Sequence, residues 1–219
     1  MIDLHTHTVF SDGVLIPAEL ARRAKVMGYQ CLAVTDHVDF TNLSWIVNSL
    51  SQGVKKMISM DGLDLIVGVE ITHVPPPLID EVTQEARRLG ADLVLVHGET
   101  LVEPVEEGTN LAAIEAGVDI LAHPGLISCE EVSLAAKNKV ALEITTRKGH
   151  CLTNGHVAAL SRQYGGKLVI NNDTHAPEDL VSRELRKMIA LGAGLSEEEY
   201  FQIERNSWDI VQRILTSTG

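Results

Sequence analysis

The sequence contains few aromatic residues and few cysteines. Aromatic residues make up 4% of the 219 residues and hydrophobic residues 45%, so a core would consist mainly of valine, isoleucine, leucine and alanine. The three cysteines, Cys31, Cys129 and Cys151, are widely spaced and form no CxxC pair. Neither a disulfide framework nor a zinc ribbon is therefore expected. This cysteine content fits a reducing, cytoplasmic compartment.

The sequence also lacks an apolar stretch of about 18 residues, the length of a membrane-spanning helix, and we expect no membrane association. Its first residues lack the basic region and apolar core of a signal peptide. Basic residues are in the minority, with 18 Lys and Arg against 30 Asp and Glu, and the net charge is -12. Such a surface disfavours stable binding to nucleic acid. Bound metal ions can nevertheless reverse the local charge of a site and admit an anionic substrate.

Short apolar runs alternate with helical patterns along the chain. Runs such as residues 93–96 are almost continuously apolar, which is typical of parallel strands that are buried on both faces. A helix that begins at Pro17 and ends at Gly28 shows the usual preference for proline at the start and glycine at the end. We predict strands at residues 2–5, 30–35, 64–70, 92–97, 119–122, 140–144 and 167–171. Helices are predicted at residues 17–28, 41–59, 78–89, 108–116, 128–138, 154–164 and 178–191.

Seven strand-helix units predict a single α/β domain over residues 1–219, folded as a TIM-like barrel with one strand fewer than the common eight. Two C-terminal helices are expected at about residues 196–215, the first of them starting at a capping box formed by residues 196–199. An open doubly wound sheet is the alternative. Such a sheet would explain metal ligands at the ends of two or three strands more easily than metal ligands at the ends of all seven strands.

Residues that can bind metal follow the apolar runs, and a parallel barrel gathers the C-terminal ends of its strands on one face. His5 and His7 have the i, i+2 spacing that places two side chains on the same face of a strand. A carboxylate such as Glu70, which follows an apolar run, is costly to bury unless it is paired or bound to a cation. The pattern predicts a multinuclear metal site and therefore a hydrolase. The nine candidate ligands are His5, His7, Asp12, His37, Glu70, His97, His123, Asp173 and His175.

This set resembles the PHP family, named for polymerase and histidinol phosphatase, from residue 3 to about residue 180. The resemblance implies a distorted seven-stranded (β/α) barrel, which agrees with the strand count. It also implies three divalent ions, and mixed imidazole and carboxylate ligands suit Zn, Mn or Fe. One ion would be held by His5, His7, Glu70 and Asp173, a second by Glu70, His97 and His123, and a third by Asp12, His37 and His175. The matching motifs are His5-Thr6-His7, Ser11-Asp12-Gly13, Thr35-Asp36-His37, Gly68-Val69-Glu70, His97, Ala122-His123-Pro124 and Asp173-Thr174-His175.

By this resemblance the chain is a metal-dependent phosphoesterase, and a histidinol-phosphatase-like phosphomonoesterase with a small phosphorylated substrate fits best. A metal-bound hydroxide would attack the phosphate ester in line, with Glu70, Asp173 and His175 as organising ligands. Arg147 and His150 follow the sixth run and are candidate substrate contacts, because an arginine fork can hold a phosphate by two hydrogen bonds.

Other functions are compatible with parts of this pattern. A nucleotide phosphatase or small-nucleotide phosphodiesterase of the same family is the second hypothesis. Amidohydrolase-type enzymes also begin with HxH on a barrel strand, but they usually bridge their metals with a lysine, where this chain has Glu70. A non-catalytic, metal-binding regulatory domain, like the PHP modules attached to polymerases, is disfavoured by the filled ligand set. The sequence does not indicate an oligomeric state.

Overall fold

Parallel strands and α-helices alternate through the described part of the computed structural model, which comprises residues 1–57 and 62–217. The strands are β1 (Ile2–Asp3), β2 (Cys31–Val34), β3 (His37–Val38), β4 (Asp64–Ile71), β5 (Leu93–His97), β6 (Ile120–Ala122), β7 (Ala141–Thr145) and β8 (Lys167–Asn171). The helices are α1 (Pro17–Val26), α2 (Leu43–Met57), α3 (Ile79–Leu89), α4 (Thr109–Glu115), α5 (Cys129–Asn138), α6 (Asn154–Tyr164), α7 (Arg183–Gly192) and α8 (Glu197–Ser217).

The strands form a nearly closed ring with seven positions. Their order is β1-β2-β4-β5-β6-β7-β8, and the short strand β3 pairs with β4 beyond the end of β2. The ring closes where the extensions of β1 and β8 meet, since Thr6 forms a parallel bridge with Thr174 and the His7 amide donates to the Thr174 carbonyl at 2.8 Å. The predicted (β/α)7 barrel is therefore confirmed, and an open doubly wound sheet is excluded.

The alternation of side chains along each strand divides the core into two layers. In β4, Leu65, Val67 and Val69 belong to the outer layer between strands and helices, whereas Ile66 belongs to the barrel interior. Glu70 has the same parity as Ile66, so the strand period directs its side chain into the barrel as well. The interior is thus apolar in its lower part and polar near the C-terminal strand ends.

Helix α8 closes the lower end of the barrel. Its residues Ile210, Val211 and Ile214 join the cluster of interior strand residues. The two short C-terminal helices expected at about 196–215 are in fact one continuous helix. The predicted capping box is present: the Glu199 amide donates to Ser196 Oγ at 3.2 Å, and the Ser196 amide donates to Glu199 Oε2 at 2.7 Å.

Other element boundaries differ locally from the predictions. Strand β1 is shorter than the predicted 2–5, because the backbone beyond Asp3 pairs less regularly where it carries His5 and His7. The predicted helix 178–191 begins only at Arg183, after a separate 3₁₀ turn at Pro177–Asp179. The last two residues of the predicted helix 41–59 lie outside the described residues. Among the described residues, no helix combines the length and apolar character needed to cross a membrane.

A buried cation connects the last two helices to the barrel. Arg186 on α7 is fully buried and donates a hydrogen bond to the Ile170 carbonyl of β8. Its Nε lies 3.2 Å from Glu204 Oε1 on α8. Burial raises the pKa of Asp3 to about 6, and the charge of Arg186 opposes this rise. Arg186 therefore stabilises acidic groups on β1 and α8.

Replacement of Arg186 by methionine should lower the free energy of unfolding by about 3–5 kcal/mol, because it leaves buried acidic groups uncompensated. Urea denaturation followed by circular dichroism measures the change. Arg183→Met, an exposed arginine one turn earlier on α7, is the matched control and should stay within about 0.5 kcal/mol of the parent protein. Equal stability of the two variants would contradict a structural role for the Arg186 charge.

Candidate metal centre

The side chains of all nine candidate ligand residues lie together at the C-terminal ends of the strands. They form overlapping groups in which one donor atom from each member lies within 4.8 Å of the others. A tenth residue, His150, joins one of these groups. The groups are His5, His7 and Glu70; His5, His123 and Asp173; His7, Asp12, His37 and His175; and His97, His123 and His150.

The centre of the cluster is a set of two imidazoles and two carboxylates. His5 Nε2 lies 3.2 Å from Glu70 Oε1, and His7 Nε2 lies 3.2 Å from Asp173 Oδ1. His7 Nε2 is also 3.5 Å from Glu70 Oε2. These four residues come from β4 and from the extensions of β1 and β8, so they meet only because the ring closes between β1 and β8.

A second group lies on the more exposed side of the pocket. Asp12 Oδ2 is 3.1 Å from His175 Nε2, and Asp12 Oδ1 is 3.6 Å from His37 Nε2. His37 is placed by β3, whose register sets it opposite Glu70 on β4. The loop that carries Asp12 is held by Asp36, which accepts hydrogen bonds from the Thr8 amide at 2.7 Å and from the Ser11 hydroxyl at 2.8 Å.

A third group consists mainly of imidazoles from β5, β6 and the loop after β7. The rings of His97 and His123 pack edge to face with centroids 4.4 Å apart. His123 Nε2 is 3.8 Å from Glu70 Oε1, which connects this group with the centre. The His150 ring stacks on the His123 ring at 4.2 Å.

Several donor atoms of the cluster are buried without a hydrogen bond. Among the described residues, no hydrogen-bond partner is found for His5 Nε2, for either ring nitrogen of His7, or for either oxygen of Glu70. Buried polar groups are normally hydrogen-bonded, and a buried charge is normally paired or coordinated to a metal. The donors are imidazole nitrogens and carboxylate oxygens, which suit divalent zinc, manganese or iron. These residues therefore fit a metal site.

The groups in the cluster shift one another's pKa values strongly. Burial by itself would lower the pKa of His5, but the charges of Glu70 and Glu143 outweigh it and raise the pKa well above its usual range. Burial would raise the pKa of Glu70, but His5 and His37 outweigh it and hold the pKa well below its usual range. Burial lowers the pKa of His7 to about 3, and nearby His37 adds to this effect. The cluster thus favours an ionised Glu70 and a neutral His7, and a metal ion that binds His5 would displace the proton of that imidazole, because ligand imidazoles are neutral.

Glu143 orients the central ligands from below. Its Oε2 lies 2.8 Å from His5 Nδ1 and accepts from Asn171 Nδ2 at 2.9 Å. Its Oε1 accepts from the His123 amide at 3.3 Å. A carboxylate that accepts the Nδ1 proton of a histidine leaves the lone pair on Nε2, and Nε2 of His5 is the atom that faces Glu70. Glu143 thus contacts a candidate ligand.

Two of the candidate ligands lie on backbone with positive φ. Asp173 has φ 55° and His123 has φ 23°, values that residues other than glycine seldom adopt. Such conformations cost on the order of 1–3 kcal/mol each and occur mainly at functional sites. The surrounding barrel therefore holds these two side chains in place against a local backbone preference.

The predicted substrate contact Arg147 and the nearby His156 differ in their relation to the pocket. Arg147 lines the pocket, and its Nη1 donates to Asp179 Oδ2 at 2.7 Å. His156 contacts the Ile127 carbonyl at 2.7 Å and does not line the pocket. Sequence reasoning missed Glu103, whose Oε2 is 3.2 Å from His97 Nε2. Its loop contains several glutamates, and no local pattern distinguishes the one that points inward.

The chain is similar to several known proteins. The PHP domain family matches residues 3–195. A protein of Methanocaldococcus jannaschii, described only as uncharacterized, is 51% identical over 199 residues, covering 90% of this chain and 91% of that protein. A probable phosphatase of Shewanella pealeana is 30% identical over 207 residues, covering 82% of this chain and 79% of that protein.

A solved structure shares the fold. It is the histidinol phosphate phosphatase of Lactococcus lactis in complex with Zn, L-histidinol and phosphate, with a TM-score of 0.62, 18% identity, and coverage of 89% of this chain and 94% of that one. The family match spans all nine candidate ligand residues, and the barrel agrees with this neighbour. The chain therefore belongs to the PHP domain family and is a metal-dependent phosphoesterase.

Proposed function

We propose that this PHP domain is a histidinol-phosphatase-like phosphomonoesterase that hydrolyses a small phosphorylated molecule with three divalent ions. The observation that carries the proposal is the group of buried atoms on His5, His7 and Glu70 that have no hydrogen-bond partner among the described residues. Nitrogen and oxygen atoms of this group face one another across 3.2 and 3.5 Å. Divalent cations bound among them would compensate the buried carboxylate and use the unpaired donors.

The assignment of ligands to ions is the one that the family resemblance implies. Glu70 has two oxygens, one facing His5 and the other facing His7 and His37, so its carboxylate would contribute to more than one ion. When bound, divalent ions lower the pKa of a coordinated water and neutralise developing charge on a phosphoryl group. The first ion would be held by His5, His7, Glu70 and Asp173, the second by Glu70, His97 and His123, and the third by Asp12, His37 and His175.

Charge and size support a small anionic substrate. Three divalent ions would carry more positive charge than the carboxylates of Asp12, Glu70 and Asp173 neutralise, so the pocket would attract phosphate within an acidic protein. The pocket has a volume of about 450 Å³, which is in the range of small-molecule sites. A phosphate ester of a small alcohol fits this space.

Arg147 is the proposed substrate contact at the pocket wall. The salt bridge to Asp179 engages one terminal nitrogen of its guanidinium, and a guanidinium carries five N–H donors. Asp179 also accepts from the amides of His175 and Ala176 at 3.0 and 2.9 Å. Asp179 thereby holds Arg147 against the loop that carries a candidate ligand, with donors available for phosphate oxygens.

Metal analysis combined with a substrate panel tests the proposed function. The purified, metal-replete protein should contain three divalent ions per chain, hydrolyse L-histidinol phosphate or another small monoester, and lose turnover when it is chelated. The panel includes a nucleoside 5′-monophosphate and a dinucleotide, so preference for these would favour the nucleotide-directed alternative. Glu70→Gln should reduce turnover by roughly 100-fold or more, because even residues that only orient ligands typically contribute 10–100-fold. Exposed Glu115→Gln on α4 is its control.

Two results of this experiment would overturn the proposal. The first is full turnover by the chelated protein, which would remove metal ions from the reaction. The second is a metal-loaded protein that hydrolyses no phosphate ester in the panel, which would favour the regulatory, non-catalytic alternative.

Glu143→Gln should weaken metal binding by roughly 10–100-fold, because the amide cannot hold the His5 Nδ1 proton as the carboxylate does. Competition with a chromophoric chelator measures the affinity, and thermal unfolding of the metal-free protein separates this effect from a general loss of stability. If chelator competition is the same for Glu143→Gln and Glu115→Gln, the carboxylate does not act through His5.

Arg147→Met should raise KM for the monoester and the inhibition constant of inorganic phosphate by about 10-fold or more, since hydrogen bonds to charged groups contribute roughly 1.5–3 kcal/mol. Metal content should stay unchanged. Lys148→Met is the matched control, because it removes the same charge from an exposed neighbour in the same loop. Equal phosphate inhibition in both variants would exclude Arg147 as a phosphate contact.

A further inference from the structure

Two side chains outside the nine candidates complete a second set of ligand atoms beside His97 and His123. His150 begins a 3₁₀ turn after β7, and Glu103 lies in the loop between β5 and α4. One nitrogen of each of the three histidines lies within 4.8 Å of the others. Neither the strand-end pattern nor the family resemblance assigns a metal to His150 or Glu103.

His150 is oriented as a ligand would be. The residue is 7% exposed, and its ring stacks on that of His123 with an interplanar angle of 19°. Its Nδ1 lies 2.8 Å from the hydroxyl of Thr100, which is itself buried. A hydroxyl that accepts the Nδ1 proton leaves the lone pair on Nε2. Nε2 of His150 is the nitrogen that faces Glu103, at 3.4 Å.

Glu103 brings a carboxylate between two of the imidazoles. Its Oε2 is 3.2 Å from His97 Nε2, and its Oε1 is 3.4 Å from His150 Nε2. The side chain is 39% exposed, so it reaches the histidines from the solvent side. Glu70, by contrast, approaches His123 from the buried centre at 3.8 Å.

We propose that His150 and Glu103 are two further metal ligands and that, with His97 and His123, they form an imidazole-rich site for one divalent ion of the zinc class. The proposal rests on the metal binding of the proposed function and specifies the second of its ions. With Glu70, which the proposed function assigns to the same ion, the set would offer three imidazoles and two carboxylates, which are ligand types that zinc takes. This role replaces the substrate contact expected of His150.

The ligand composition of this set predicts that the proposed ions differ in how tightly they are bound. Imidazole nitrogens favour zinc and iron, whereas carboxylate-rich surroundings suit manganese better. The group of Asp12, His37 and His175 is more exposed and has fewer imidazoles, with Asp12 56% exposed. A chelator should therefore remove the ion at His97, His123, His150 and Glu103 later than the ion at Asp12, His37 and His175 from the zinc-loaded protein.

Chelator competition on the zinc-loaded full chain, together with visible spectra of the cobalt-loaded chain, tests the proposal. His150→Gln and Glu103→Gln should each lower the affinity for one ion per chain by roughly 10–100-fold. The affinities for the other ions should stay unchanged, and the cobalt spectrum should change. The controls are His156→Gln, a histidine of the next helix, and Glu107→Gln, an exposed glutamate of the same loop as Glu103. Both should behave like the parent protein. Far-UV circular dichroism checks that each variant is folded.

The possible failures separate this proposal from the proposed function. If the parent protein binds no zinc, cobalt, manganese or iron, both proposals are overturned. If it binds manganese or iron but neither zinc nor cobalt, only the proposed site at His150 and Glu103 is overturned. If the parent binds the ions and both variants keep its affinities and cobalt spectrum, only the role of His150 and Glu103 is overturned. Glu103→Gln decides the matter if His150→Gln fails to fold, because Glu103 lies on an exposed loop.

Discussion

The buried carboxylate of Glu70 is the constraint on which the rest of the site depends. It is fully buried, and neither oxygen has a hydrogen bond among the described residues. A buried charge of this kind must be compensated by nearby positive charge. Imidazole nitrogens approach its oxygens at 2.8 to 3.8 Å. They belong to His5, His7, His37 and His123, and closure of the barrel brings them together. Burial would lower the pKa values of His5 and His37, but nearby carboxylates outweigh it and raise them, so these two imidazoles can carry compensating charge. Burial lowers the pKa values of His7 and His123.

The barrel interior has two parts along its axis: an apolar part that stabilises the fold and a polar part that carries the candidate metal ligands. Apolar side chains such as Ile66 and Leu95 fill the lower part, where Ile210 and Ile214 of α8 also pack. The same strands carry Glu70 and other polar side chains at the same parity nearer their C-terminal ends. The apolar part stabilises the ring, and the ring in turn supports backbone conformations at Asp173 and His123 that are unfavourable locally. Metal chemistry in the upper part therefore depends on packing in the lower part.

Much of this arrangement could be predicted from the sequence because strand ends have a local signature. An apolar run followed by His, Asp or Glu indicates both the strand and the residue that faces the pocket, as for Leu93 to His97. Loop residues have no such signature. Glu103 is one of several glutamates in its loop, and His150 and His156 are close in sequence, yet only His150 lies beside His97 and His123. The direction of these side chains depends on loop conformation.

The sequence alone determined the barrel class and predicted nine candidate ligands of a metal site, because hydrophobic periodicity and ligand chemistry are properties of short segments. The tertiary structure decided which of those residues meet. His7 and Asp173 are far apart in the chain but 3.2 Å apart in space, a distance set by pairing of the first and last strand extensions. It also decided that α8 is continuous, and that Glu143, His150 and Glu103 reach the cluster. These contacts depend on long-range packing, which no local pattern specifies.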